Sequence, residues 1–146
     1  MIRGMLVAGA LVAGVSSVMA QSDPIAERQE IMKKNNQEIR GLTNMLKGSV
    51  PFDLAKVQTA LKGTAADYKK VSTLFPDNSQ TGHETRALPK IWTDRAGFDA
   101  AMVKLISATE AAQTSIKDEA SFKTEFPKVS GACDACHDVY RAPRQR

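Results

Sequence analysis

Cys133-Asp134-Ala135-Cys136-His137 is the stretch whose reading decides the fold. Two thiols two residues apart, followed directly by a histidine, read as a c-type haem attachment site. The thiols can add across the two vinyl groups of a haem, and the imidazole can then bind the iron. All three side chains must leave the chain on one side. A helix meets that need, because positions 133, 136 and 137 stand at i, i+3 and i+4. The motif therefore predicts a C-terminal helix with a flat cofactor against it.

The other uses of such a pair fit less well. These are the only two cysteines. A disulfide across two residues inside a helix is strained. A thioredoxin-like dithiol opens a helix after a strand, and no strand–helix–strand pattern precedes this pair. A zinc site needs four ligands. Cys133, Cys136, His137 and His83 are the whole stock of Cys and His, and His137 adjoins Cys136 too closely for the usual spacing.

Outward from the motif, apolar residues recur at a spacing of three and four, and no segment alternates as a strand would. Asp118 or Ser121 opens the motif's own helix, whose stripe runs Phe122, Phe126, Val129, Cys133, Cys136 with His137, Tyr140. Pro127 lies inside it and predicts a kink or a detached first turn. Gly131, beside the thiols, is expected to let a flat group approach the backbone. The tail from Ala142 to Arg146 is expected to fray. Before it, Thr93 or Asp94 caps a helix to about Ile116, with Phe98, Met102, Leu105 and Ala112 inward. A polar loop spans Asp77 to Pro89, and Ile91 and Trp92 dock at its end. Asp53 caps a helix to about Leu74 bearing Val57, Leu61, Tyr68 and Val71. The first helix spans Pro24 to Leu46, with Asp23 at its N-cap and Gly48 as its stop. Its stripe reads Ile25, Arg28, Met32, Asn35, Ile39, Leu42, Leu46. The fold class that follows is all-α: an antiparallel, up-down-up-down four-helix bundle with covalently attached haem.

The N-terminus has the form of a secretory signal peptide: a basic start at Arg3, an apolar run from Met5 to Val15, and small residues ending at Ala20. That run is too short to span a bilayer. Residues 1–20 are thus expected to be removed and 21–146 to form one domain, exported and without membrane insertion. The formal charge of +4 falls to +3 when Arg3 is lost. Acids and bases are interleaved, which excludes a nucleic-acid footprint and suits encounter with an acidic partner surface.

In an antiparallel bundle the C-terminal motif faces the first halves of helices one and three and the loop between helices two and three. Met32, Met102 and loop residue His83 are candidates there for a second iron ligand. Met45 lies roughly 20 Å further along its helix, where it serves packing. Arg28, one turn before Met32, can bind a haem propionate in bidentate fashion. Asn35 and Asn36 can hydrogen-bond near the haem. Arg141, one turn after His137, can lie at the ring's proximal side or edge.

Over its whole mature length the chain resembles the class II c-type cytochromes, the cytochrome c′ family. The likeness rests on the C-terminal attachment motif followed by Asp138-Val139-Tyr140-Arg141, on Lys47-Gly48-Ser49-Val50-Pro51-Phe52-Asp53 and on Pro89-Lys90-Ile91-Trp92. An Arg one turn ahead of a variable distal residue is also similar, matched here by Arg28 and Met32. The stretch Ile31-Met32-Lys33-Lys34-Asn35 resembles the cytochrome c-556 branch, in which Met ligates and the haem is low-spin. The resemblance implies one haem c on Cys133 and Cys136, iron between His137 and Met32, and one-electron transfer in the periplasm. It also implies redox protein partners, a monomer or a homodimer, and no enzymatic activity. The five-coordinate branch, which binds nitric oxide or carbon monoxide, is the alternative.

Overall fold

The computed structural model describes residues 23–143. The signal peptide expected over 1–20 and the last three residues of the tail lie outside the described residues. The chain forms α1 (Pro24–Leu46), α2 (Leu54–Ser72), a short 3-10 turn (Asp77–Ser79), α3 (Lys90–Thr93), α4 (Arg95–Ser115) and α5 (Glu119–Tyr140). The four long helices make the expected bundle. The one-turn α3 was not foreseen as a helix; it turns the Ile91 side chain into the core, 2% exposed.

Each long helix begins on an aspartate whose side chain accepts first-turn N–H groups that have no partner within the helix. Asp23 accepts from Ile25 and Ala26, Asp53 from Lys56, and Asp94 from Gly97. Asp118 and Ser121 form a reciprocal capping box. α1 ends in a Schellman motif, with the Ser49 N–H on Asn44 O and the Gly48 N–H on Met45 O. That turn needs the φ of +72° that Gly48 adopts. α2 stops at Ser72, short of Leu74, because the Thr73 and Leu74 N–H groups bond three residues back, to Lys70 O and Val71 O. α5 runs through Pro127 as one element. Its first turn is not detached: the carbonyl that Pro127 leaves without a donor belongs to exposed Lys123, where water can serve it.

α1 packs on α2, α2 on α4 and α4 on α5, while α1 and α5 meet only sparsely. The core has two parts. At the end away from the motif, Leu42, Val57, Leu61, Ile116, Phe122, Phe126 and Val129 are fully enclosed, with Phe122 and Phe126 stacked at 5.2 Å. Burying each such side chain is worth about 1.5–3 kcal/mol. At the motif end, Phe75, Phe98 and Tyr140 pack edge to face beside Ile91, Met102 and Leu105.

Ala142, where the tail begins, is fastened rather than frayed. The Ala142 N–H bonds Arg86 O at 2.8 Å and the Leu88 N–H bonds Tyr140 O at 3.0 Å, which makes an antiparallel bridge between Ala87 and Arg141. The α2–α3 loop is thereby fastened to the end of α5. Tyr140 adds a hydroxyl donated to Asp94 Oδ2 at 3.1 Å, tying α5 to the cap of α4.

Candidate functional site

A cavity of about 530 Å³ lies at the motif end, bounded by α1, α5, the α2–α3 loop and the inner faces of α2 and α4. It occupies the side of the bundle where α1 and α5 hardly touch. Within α5, Cys133, Cys136 and His137 all line it. Both cysteines are free, and burial pushes both thiols up. Burial, assisted by the charge of Arg141, pushes the His137 imidazole down to about 4. It is therefore neutral at pH 7 and has a nitrogen lone pair to offer.

α1 supplies the opposite wall. Met32, half-buried, lines the cavity with Arg28, Asn35 and Ile39. Met102 reaches it from α4 and is 2% exposed within the core. Met45 belongs to the other core cluster. His83 is exposed, pairs with the Asp23 carboxylate and does not line the cavity. Gly131 is exposed and does not line it either. The expectation that a flat group approaches there is corrected: one residue's rotation from Ala132 turns position 131 outward.

Arg28 is 4% exposed. Its Nη1 donates to Leu74 O and Ser79 Oγ, both at 2.9 Å. Its Nη2 donates to Ser79 O at 2.8 Å and Thr85 Oγ1 at 3.3 Å. The guanidinium lies over the Phe75 ring, 4.6 Å from its centroid. This is neither a solvated arginine nor one with its fork open. The terminal N–H groups hold the α2–α3 loop against α1, so the fork expected to bind a propionate in bidentate fashion is engaged within the protein instead. Arg141 lines the cavity, and its N–H bonds His137 O. The cavity wall carries opposite charges as well, Arg86 and Lys33 beside Glu84 and Asp134.

Two wall residues drew less notice in the sequence. The Tyr68 hydroxyl stands 3.7 Å from Cys133 Sγ, and burial with the neighbouring thiol raises its pKa. Its signal was a tyrosine hydroxyl in an otherwise apolar stripe, since a buried hydroxyl needs a partner. Asn35 is 2% exposed, and neither its Oδ1 nor its Nδ2 has a hydrogen-bond partner. Native interiors rarely leave such atoms unpaired, because doing so costs about 1–3 kcal/mol.

The residues present fit a haem. Two free thiols and a neutral imidazole share a helical face. A thioether stands on the facing helix, and Phe75, Ile91, Phe98 and Met102 supply apolar walls. Such a bundle, with its attachment motif on the last helix, defines a class of covalent haem proteins.

The family model described as Cytochrome C' matches residues 23–141, and the chain belongs to that family. It is 46% identical to "Cytochrome c'" of Rhodopseudomonas palustris over 138 residues, 94% of each chain. It is 36% identical to "Cytochrome c-556" of the same organism, covering 97% of each. The solved structure of cytochrome c′ from R. palustris superposes with a TM-score of 0.83 at 47% identity, covering 86% of this chain and all of that one. Covalently attached haem c is accordingly the cofactor. Among the described residues no helix is long and apolar enough to cross a membrane.

Proposed function

We propose that this chain is a periplasmic one-electron carrier, not an enzyme, whose haem is attached through Cys133 and Cys136 and whose iron is held between His137 and Met32. The bound haem supplies one-electron chemistry. The chain's residues fix it and set its surroundings. The observation that carries the reading is that Met32 lines the cavity from α1 while His137 lines it from α5. A thioether there favours the reduced state and raises the potential. Burial keeps His137 neutral, and Phe75, Phe98 and Met102 give the cavity an apolar wall. Export with cleavage after Ala20 belongs to the same proposal, as does docking to redox proteins with acidic surfaces, as a monomer or homodimer.

One observation favours a second reading. The relative at 46% identity is named cytochrome c′ and the one at 36% is named cytochrome c-556. In that reading Met32 is wall only, and the iron is five-coordinate and open to nitric oxide or carbon monoxide. The two readings part at Met32→Ala. If Met32 ligates, the reduced native protein resists carbon monoxide and the variant takes it up rapidly. If both bind it alike, Met32 is wall and the second reading holds.

A further inference from the structure

Asn35 is the one buried side chain among the described residues whose polar atoms all lack partners. The other enclosed polar groups solve the same problem within the protein. Thr64 Oγ1 donates to Ala60 O, Thr109 Oγ1 to Leu105 O, and Ser79 Oγ to Pro76 O. Asn35 differs in standing on the cavity wall with both amide atoms enclosed. Its amide has two N–H donors and a carbonyl acceptor. Both amide atoms are enclosed, so the atom that satisfies the amide must come from a side chain that adjoins it on the cavity wall.

Position narrows the choice. The cationic side chains that line the cavity near the loop, Arg28 and Arg86, are at the end where Thr85 and Ala87 enter the wall. Asn35 is two helical turns further along α1 than Arg28 and is enclosed, not solvated. The enclosed amide is out of reach of a carboxylate in the cavity and suits a neutral acceptor on the wall beside it. Residues three apart on a helix are surface neighbours, and three before Asn35 is Met32. A thioether sulfur is a weak acceptor, and the cavity adjoins both residues.

We propose that Asn35 is a distal positioning residue whose side-chain amide donates a hydrogen bond to the sulfur of Met32 when Met32 serves as the iron's second ligand. The proposal rests on that ligation. It assigns Asn35 two effects. The hydrogen bond holds the thioether in its ligating orientation and so slows its displacement by an incoming ligand. It also draws electron density from the sulfur, which disfavours the oxidised state and raises the potential.

The test uses the holoprotein and Asn35→Leu, which keeps volume and removes the amide. Carbon monoxide affinity of the reduced variant should rise about tenfold, as loss of one hydrogen bond of ordinary strength predicts, and the reduction potential should fall. Its thermal midpoint should not rise. In a Met32→Leu background the amide is orphaned again, so adding Asn35→Leu should raise the midpoint and leave carbon monoxide affinity unchanged. A merely structural Asn35 gives the opposite pattern: Asn35→Leu raises the midpoint in both backgrounds and moves neither affinity nor potential. That result overturns the proposal while leaving Met32 ligation intact. A native protein that binds carbon monoxide as readily as its Met32→Leu variant overturns both.

Discussion

At the scale of single residues, Arg28 is the side chain with most to lose. It serves Leu74 O, Ser79 O, Ser79 Oγ and Thr85 Oγ1 from inside the protein. Arg28→Ala would strand those acceptors and uncover the Phe75 ring. Charged hydrogen bonds of this kind are worth about 1.5–3 kcal/mol each but are not additive. A loss of about 3–4 kcal/mol in urea unfolding is expected, and Arg28→Lys should recover little of it, because an ammonium lacks the planar fork. Gly97 is the second sensitive position. A Cβ there would stand 2.6 Å from both Tyr140 Oη and Asp94 Oδ2, so Gly97→Ala must push apart the cap and the tyrosine. Overpacking typically costs about 1–3 kcal/mol, which thermal unfolding would register as a midpoint lower by several degrees. Neither residue could be read so from sequence. Arg28 was visible as a charge on an apolar stripe, but its acceptors lie 46 to 57 residues away on a loop whose path no periodicity encodes. Gly97 looked like any glycine inside a helix.

The helices themselves were far more legible, because their signals are local. Asp23, Asp53, Asp94 and Asp118 each stand one residue before an apolar period, and each proves to be a cap. Gly48 ends α1 for the reason its position implied. At Pro127 the first turn stays attached, because the tertiary packing of Phe126 and Val129, both fully buried, outweighs one missing hydrogen bond. The four cap carboxyls predict an acid limit to stability. Backbone N–H groups hold Asp23, Asp53 and Asp118 below the ordinary carboxylate value of 3.8, and Lys90 with Tyr140 does the same for Asp94. The unfolded chain takes up these protons first. The stabilisation is therefore complete above the ordinary carboxylate range and is lost as pH falls through and below it. Thermal midpoints should be flat from pH 7 to about 5 and drop steeply below 4. Replacing Asp118 by Asn, which caps without titrating, should make that drop shallower.

For the molecule as a whole, the cavity is the site, and its apolar walls, Phe75, Ile91, Phe98 and Met102, belong to the motif-end core. A chain with both Cys133→Ala and Cys136→Ala should therefore lose haem staining after denaturing electrophoresis and most of its cooperative unfolding. The bundle's topology explains why the cavity is where it is. α1 and α5 are the first and last helices, and their sparse contact leaves room between Met32 and His137. The attachment motif was readable as a string, and the bundle as a period. The facing of α1 and α5 followed from antiparallel order, whereas the strap of loop residues 86–88 on the end of α5 did not. The account's central claim, that Met32 completes the coordination of an electron carrier, is tested most directly by the visible spectrum of the purified, reduced holoprotein. Sharp, resolved α and β bands of a low-spin haem are the predicted result; a broad high-spin band with no α/β splitting would contradict it.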